Sequence, residues 1–510
     1  MFKNQPKGLI PLALANTGER FGYYTMIAVF ALFLRANFGL EPGTAGLIYS
    51  SFLAVVYFMP IIGGILADKF GFGKMVTIGI FIMFFGYLLL SIPLGSGTVA
   101  LLCMMLSLLL IGLGTGLFKG NLQVMVGDLY NSPEYEAKRD SGFSIFYMAI
   151  NIGALFAPTA AVKISEWAQT SLGFSGNDAY HFAFAVACVS LVLSIIIYKA
   201  FRKSFVHVEG GAGKKAKENE IKDTLTPEQT KSRMVALFMV FGVVIFFWMA
   251  FNQSGLSLTF FADEFTARTS EGAQSMAFDV WNIVALIAIV YALFAVFQSE
   301  TKTGKWASCG VVVAAVAFLV VRYLNLSGSI EVSAPIFQHF NPAFVIALTP
   351  VSMAIFGALA KKKKEPSAPK KIAYGMLVAA VAYGIMMVFS FGLPMPQTVT
   401  GPDGSPLAVH VADVTPNLLI GTYFILTFGE LLLSPMGISF VSKVAPPKYK
   451  GMMMGCWFVS TAIGNFLVQV GGLLWGKTQL WIVWAVFVAL CLISAAIMFA
   501  MMKKLEAATK

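Results

Sequence analysis

Long apolar runs alternate with short polar connections along almost the whole chain. A helix that spans a bilayer needs about 20 largely apolar residues. Runs of that length lie near 10–36, 45–67, 75–93, 98–127, 142–164 and 181–201. A polar stretch at 204–231 follows, containing Gly210-Gly211-Ala212-Gly213-Lys214-Lys215. Eight further runs lie near 233–262, 277–298, 306–325, 341–360, 372–394, 417–441, 451–474 and 480–502. The pattern predicts an all-α polytopic membrane protein of 14 spans, six before the linker and eight after it. One connection, 395–416, carries Gly401-Pro402-Asp403-Gly404-Ser405-Pro406 between the β-prone pieces Thr398 to Thr400 and Val409 to Val411, which predicts a small hairpin.

The polar positions inside these runs are the informative ones. An ionisable group at the bilayer centre costs roughly 2.5–3.5 kcal/mol on insertion scales, so it normally faces a bundle interior or a wet cavity. In the first run Asn16, Glu19, Arg20, Tyr23 and Tyr24 fall on one stripe at helical spacing. The stripe reads as the wall of a substrate or ion pathway, and the plain alternative is an ion pair that joins helices. In the fourth run Gly112, Gly116 and Gly120 recur every four residues, which lets another helix approach closely. Lys119 sits among them and needs a carboxylate, for which Glu19 is the candidate; snorkelling to the interface is the alternative. Glu430 is the one acid well inside the spans of the second half, and at that depth it either switches its proton or meets a cation; the plain alternative is a bond to a neighbouring helix. At the end of the second run, Gly64 to Lys74 combines glycines, Asp68 and basic residues. There Asp68 and Lys74 can clasp neighbouring helix ends and act as a gate; the plain alternative is an ordinary solvated loop. Tyr57, Asn151, Asn252, Gln253, Asn341, Trp457 and Ser460 are further polar groups within spans, each a binding residue or a helix–helix hydrogen bond.

Composition agrees with the pattern. Of 510 residues 58% are hydrophobic and 12% charged, against about 25% charged in soluble domains. The net charge is +11, but its distribution argues against nucleic acid. With the N-terminus in the cytoplasm and each span crossing once, 29 of the 36 Lys and Arg lie inside. Arg35, Lys163, Arg268, Arg322 and Lys477 lie outside, and Arg20 and Lys119 lie in the membrane. That is a positive-inside asymmetry, and it points to anionic membrane lipids as the partner of the basic loops. Cys103, Cys188, Cys309, Cys456 and Cys491 stand singly without metal-ligand spacing, which suits packing. The apolar run before Ala13-Leu14-Ala15 is too short for a signal peptide, so the N-terminus is read as mature sequence.

Several signals resemble enzyme motifs without their context. Gly173-Phe174-Ser175-Gly176 lies in a loop, and His181, His207, His339 and His410 all fall in loops or at span ends. No histidine is therefore placed to activate that serine, and neither a proton relay nor a metal site is expected. Thr303-Gly304-Lys305 lacks the upstream glycine and the Ser/Thr of a phosphate-binding loop. No cofactor is expected, and ATP is not expected to drive transport on this chain.

Together the motifs resemble the proton-coupled oligopeptide transporter (POT, or PTR) family of the major facilitator superfamily. The family's E-x-x-E-R-F-x-Y-Y reads N-x-x-E-R-F-x-Y-Y from Asn16 to Tyr24. Asp68 with its glycines is similar to the superfamily's loop between helices 2 and 3, and Lys119 matches the family's helix-4 lysine. Phe143 to Gly153, with Asn151, resembles the helix-5 signature. Phe247-Trp248 through Gln253 resembles helix 7, and Phe337 to Pro342 the start of helix 8. Gly429 to Pro435, with Glu430, resembles helix 10, and Cys456 to Ser460 resembles helix 11.

The resemblance implies the major facilitator fold, two six-helix bundles plus two extra transmembrane helices. Residues 1–203 would be the first bundle, 204–231 a cytoplasmic linker and 232–510 the second bundle. Many bacterial members insert the extra hairpin between the bundles, whereas spacing here puts it at about 277–325, after helix 7. Asn16 replaces the motif's first Glu, and Asn252 stands where many bacterial members have a carboxylate; an amide cannot carry a proton.

The implied function is secondary active transport of di- and tripeptides or peptide-like solutes by alternating access, coupled to protons. Arg20 and Lys119 would meet the substrate carboxylate and Glu430 its ammonium. Tyr23, Tyr24, Tyr57 and Trp457 would supply walls, and Asn151, Asn252, Gln253, Asn341 and Ser460 polar contacts. Glu19, Arg20, Lys119 and Glu430 would couple protons, with Asp68 and Lys74 gating. The chain would be a monomer in a bacterial inner (plasma) membrane with both termini cytoplasmic. One rival is a facilitator or exchanger of another zwitterionic or anionic solute without proton coupling. The others are an intramembrane enzyme and a non-transporting receptor or scaffold.

Overall fold

The computed structural model describes residues 5–135, 139–210, 226–299, 301–326, 328–400, 406–446 and 450–508. It contains 14 helical segments long and apolar enough to cross a membrane. The first bundle consists of α1 (Leu9–Phe38), α2 (Pro42–Phe70), α3 (Phe72–Leu90), α4 (Thr98–Asp128), α5 (Arg139–Leu172) and α6 (Gly176–Ala200). Within it α1 packs on α5 and α6, and α4 packs on α2 and α3. Glycines set how closely α4 can approach. A Cβ on Gly63 of α2 would lie 2.1 Å from the Gly116 carbonyl oxygen, and one on Gly79 of α3 would lie 2.7 Å from that of Gly114. Gly112 and Gly116 thus abut α2 as their spacing predicts, Gly120 keeps an ordinary distance from Pro60, and Gly114 faces α3 instead.

The start of the linker is seated on the first bundle. Phe205 is buried, and Gly73 donates its backbone N–H to the Glu209 carbonyl at 3.1 Å. Residues 211–225, most of the expected linker, lie outside the described residues.

The second bundle opens on α7 (Pro227–Phe251), whose first turn is fixed by a capping box between Thr226 and Gln229. The expected single span at 233–262 is interrupted. A 3-10 turn at Asn252–Gly255 separates α7 from α8 (Ser257–Phe265), where the polar run Asn252-Gln253-Ser254-Gly255 offers side-chain bonds in place of the helix ladder. After the short α9 (Gly272–Ser275) comes an inserted hairpin, α10 (Val280–Gln298) and α11 (Lys302–Leu324). The remaining helices are α12 (Phe340–Lys361), α13 (Ala368–Phe389), α14 (Pro416–Val444), α15 (Lys450–Leu467), α16 (Gln469–Leu474) and α17 (Leu480–Ala507). In this half α13 packs on α14 and α17, α12 on α14, and α7 on α15.

Two small sheets decorate one end. β1 (Thr269–Ser270) pairs antiparallel with β2 (Ile330–Glu331), and β3 (Gln397–Thr400) with β4 (Pro406–Val409). The second is the expected hairpin with its return strand at Pro406–Val409 rather than Val409 to Val411; its Asp403-Gly404 turn lies outside the described residues. The bundles meet along two seams, α2 against α15 and α16, and α5 against α12 and the 3-10 turn Ala334–His339 before it.

A charged chamber between the bundles

The polar stripe of α1 points into the protein. Asn16, Glu19, Arg20 and Tyr23 are buried, and Tyr24 is half-buried. Arg20 grips Glu19, its neighbour on the same helix, by Nε and Nη2 at 2.5 Å each, and stacks over the Tyr23 ring at 4.6 Å. This two-pronged bond corrects the expectation that Glu19 pairs with Lys119. The guanidinium fork matches both carboxylate oxygens at once, which a single ammonium cannot do. Lys119, among the described residues, makes no ion pair; its Nζ lies 4.1 Å from the centre of the Tyr57 ring. It is a half-buried cation held by an aromatic face. Asn16 buries an Nδ2 that has no hydrogen-bond partner. Asn151 on α5 is buried and donates to the Tyr147 carbonyl at 3.0 Å.

From the second bundle, Glu430 of α14 is half-buried and accepts from Asn341 Nδ2 of α12 at 2.9 Å; Asn341 also donates to Thr427 Oγ1 at 3.0 Å. Glu430 makes no ion pair among the described residues, so no cation meets it in this conformation; its bond from Asn341 joins α14 to α12, the plain alternative of a link to a neighbouring helix. Trp457 is buried against Phe241 and Gly437, and Ser460 is buried with its hydroxyl returned to the Cys456 carbonyl at 3.0 Å.

The helix-7 amides take the second of their two expected roles, hydrogen bonds between helices, rather than ligand binding. Gln253 is 0% exposed. Its Nε2 donates to the Val468 and Met249 carbonyls at 2.9 and 3.2 Å, and its Oε1 accepts from Ser257 at 2.7 Å. With both ends of the amide satisfied and no exposed surface, Gln253 holds the α7–α8 break against the α15–α16 junction and leaves nothing for a ligand. Asn252 is half-buried and ties the same junction by donating to Asn465 Oδ1 at 2.5 Å.

The groups of the two bundles face one another. Tyr24 and Tyr57 of the first bundle lie within electrostatic reach of both Arg20 and Glu430. Tyr147 of α5, which sequence reasoning passed over, also lies within reach of Glu430, Tyr24 and Tyr57 and is 49% exposed. A tyrosine in an apolar run carries no sequence mark of this; only its four-residue spacing from Asn151 hints at it. Phenols of α1, α2 and α5 thus share electrostatic neighbours with Glu430 of α14, and Tyr57 also carries Lys119 of α4 on its ring, a set of groups suited to a small molecule with both charges.

Between the bundles, one end is shut. Arg35 at the end of α1 bonds Glu264 of α8, with side-chain exposures of 8% and 0%. Trp475 Nε1 donates to both Glu264 oxygens at 3.2 Å. Gln338 bonds the Ala28 carbonyl and Thr259 Oγ1, each at 3.2 Å. Gly255 lies so close to Tyr49 that a Cβ would sit 1.8 Å from the phenol oxygen. At the opposite end Asp68 and Lys74 are exposed. Asp68 makes no ion pair among the described residues, and Lys74 reaches only the Phe70 ring at 5.8 Å, so the expected clasp is not formed in this conformation. All five cysteines are free.

Comparison with known proteins supplies the context. A family model described as the POT family matches residues 73–217 and 322–472. The chain is 30% identical to the uncharacterized transporter YclF of Bacillus subtilis, over 92% of this chain and 89% of that protein. It is 28% identical to the peptide transporter YePEPT of Yersinia enterocolitica, over 92% and 88%. It superposes with a TM-score of 0.65 on a crystal structure of a peptide transporter POT in complex with sulfate, at 26% identity, covering 100% of this chain and 96% of that one.

Proposed function

The chain belongs to the POT family, and from that premise we propose that it carries di- and tripeptides, or solutes of similar shape and charge, across a bacterial inner membrane by alternating access. The carrying observation is Glu430 of one bundle within electrostatic reach of Tyr24, Tyr57 and Tyr147 of the other, with Lys119 resting on the Tyr57 ring. A short peptide is a zwitterion with a charge for each of these groups. Its carboxylate replaces the ring as the partner of Lys119, and its ammonium joins Asn341 on Glu430. Arg20, already bound to Glu19, supports this from behind, with Asn151 on the α5 wall. Binding ties groups of both bundles together and favours rocking to the alternative state. Both termini lie in the cytoplasm by the distribution of Lys and Arg, so the Arg35 end faces outward. The loop carrying Asp68 and Lys74 is then the inner gate, released here and clasped when the outer end opens. The protein works as a monomer with lipid around it.

Proton coupling rests on Glu19 and Glu430, because Asn16 and Asn252 hold no transferable proton. Those two amides favour a second reading, facilitated diffusion or exchange without protons. Thermal-shift titration of the purified protein with di- and tripeptides is the first test, since a ligand raises the melting temperature whatever drives its transport. Stabilisation by peptides that disappears in Lys119→Gln and Glu430→Gln supports the reading; no stabilisation by any zwitterion ends it. Uptake into proteoliposomes with and without an inward proton gradient then separates the two modes. Equal rates exclude symport.

A further inference from the structure

We infer that the inserted hairpin is a strut across the α5/α12 seam, and that Trp281 pressed on Phe156 holds the Arg35 end of the transporter shut. The base of the hairpin is one body with the second bundle. β1 and β2 tie its two ends together. Asp279 caps α10 by accepting from the Trp281 and Asn282 backbones at 2.8 and 3.4 Å, and it pairs with Arg322 at the far end of α11. Phe278 packs its ring 5.4 Å from Phe337 and 5.9 Å from Phe340, at the start of α12.

From that base α10 runs along α12, yet it also touches α5 of the other bundle. Trp281 meets Phe156 edge to face, with ring centres 5.6 Å apart at 62°. No residue of α11 is buried, so α11 lies outboard of α10. A hairpin that merely faced lipid would need no grip on the first bundle.

Position gives the contact its consequence. Trp281 is in the first turn of α10, three residues after the Phe278 that packs on Phe337, next to the Gln338 that reaches Ala28. Opening this end separates α5 from α12 there and parts the aromatic pair. The strut therefore weights the closed state and does so only while the seam is shut. The inference uses the two-bundle rocking of the function proposed above and no particular solute.

The test is a labelling rate. Leu256 is fully buried at the closed end, against Gly46 across the seam. In full-length protein reconstituted in liposomes, with the five native cysteines replaced by serine or alanine, Leu256→Cys is exposed to an impermeant maleimide on the Arg35 side. Its labelling rate reports the fraction open at that end. Trp281→Ala and Phe156→Ala should each raise the rate roughly two- to tenfold, the range for one aromatic pair. The double variant should go no further than the larger single, and Trp281→Phe should stay near the parent. An unchanged rate in either folded alanine variant, or strictly multiplicative effects in the double, overturns the strut.

Discussion

The two ends of the transporter place their charges in opposite ways. At the Arg35 end, one arginine and one glutamate from different bundles are sealed together with side-chain exposures of 8% and 0%, and an indole N–H completes the carboxylate's bonding. At the other end Asp68, Lys69 and Lys74 are all exposed, and the two lysines lie over the Phe70 ring with no ion pair among the described residues. Desolvating an ion pair is costly, and it is tolerated when every lone pair and proton has a partner. The sealed pair therefore marks the end that is committed in this conformation. The exposed set belongs to the end that has contacts still to make when the molecule rocks the other way.

The sharpest way to break this contrast is to remove half of the sealed pair. Arg35→Met leaves Glu264 buried with Trp475 as its remaining donor, which should destabilise the protein by about 3–5 kcal/mol. A melting curve against the parent measures it. Replacing both partners, Arg35→Met with Glu264→Leu, should recover most of that loss because no orphaned charge remains. If Arg35→Met melts with the parent, the pair is not sealed in the membrane and the contrast fails. Gly255→Ala is the next probe. Its new Cβ would fall 1.8 Å from the Tyr49 phenol oxygen. Overpacking of that kind costs about 1–3 kcal/mol, and here it acts on the closed end. Labelling of that end should speed up, and adding Tyr49→Phe should restore the parent rate in part. An unchanged rate would mean that α2 and the α7–α8 break are not in contact.

Much of the architecture was legible because spans announce themselves by length and apolarity, and all 14 were found where the runs lie. The α4 glycines also read correctly in part, since small residues at helical spacing have few other uses in a membrane. Pairings were harder. Arg35 and Glu264 are 229 residues apart, and each stands at a span end where an interfacial anchor is the ordinary role. Lys119 and Glu19 looked complementary by type, but sequence cannot say that Arg20 bonds the carboxylate first. Gln253 and Tyr147 exchanged places for a related reason. An amide looks polar on either face of a helix, and Tyr147 stands alone in an otherwise apolar stretch, so only packing reveals that the amide is sealed and the phenol is exposed.

The smallest expected effect lies at the opposite end, and it is the one that separates a gate from an ordinary loop. Asp68 is exposed and without an ion pair among the described residues. Asp68→Asn removes a charge and keeps the shape, so the stability of this conformation should move by no more than about 0.5 kcal/mol, as for other surface changes. A loop with no further role would leave uptake unchanged as well. A gate that must clasp in the other state would lose an attraction made only there, so the outer-open state becomes rarer. Uptake should then fall several-fold while the melting temperature holds, and Leu256→Cys should label more slowly from the Arg35 side. Lys74→Gln should act in the same direction. Parallel losses of stability and uptake in Asp68→Asn would place the carboxylate in the packing of this state, and the two ends would no longer differ in kind.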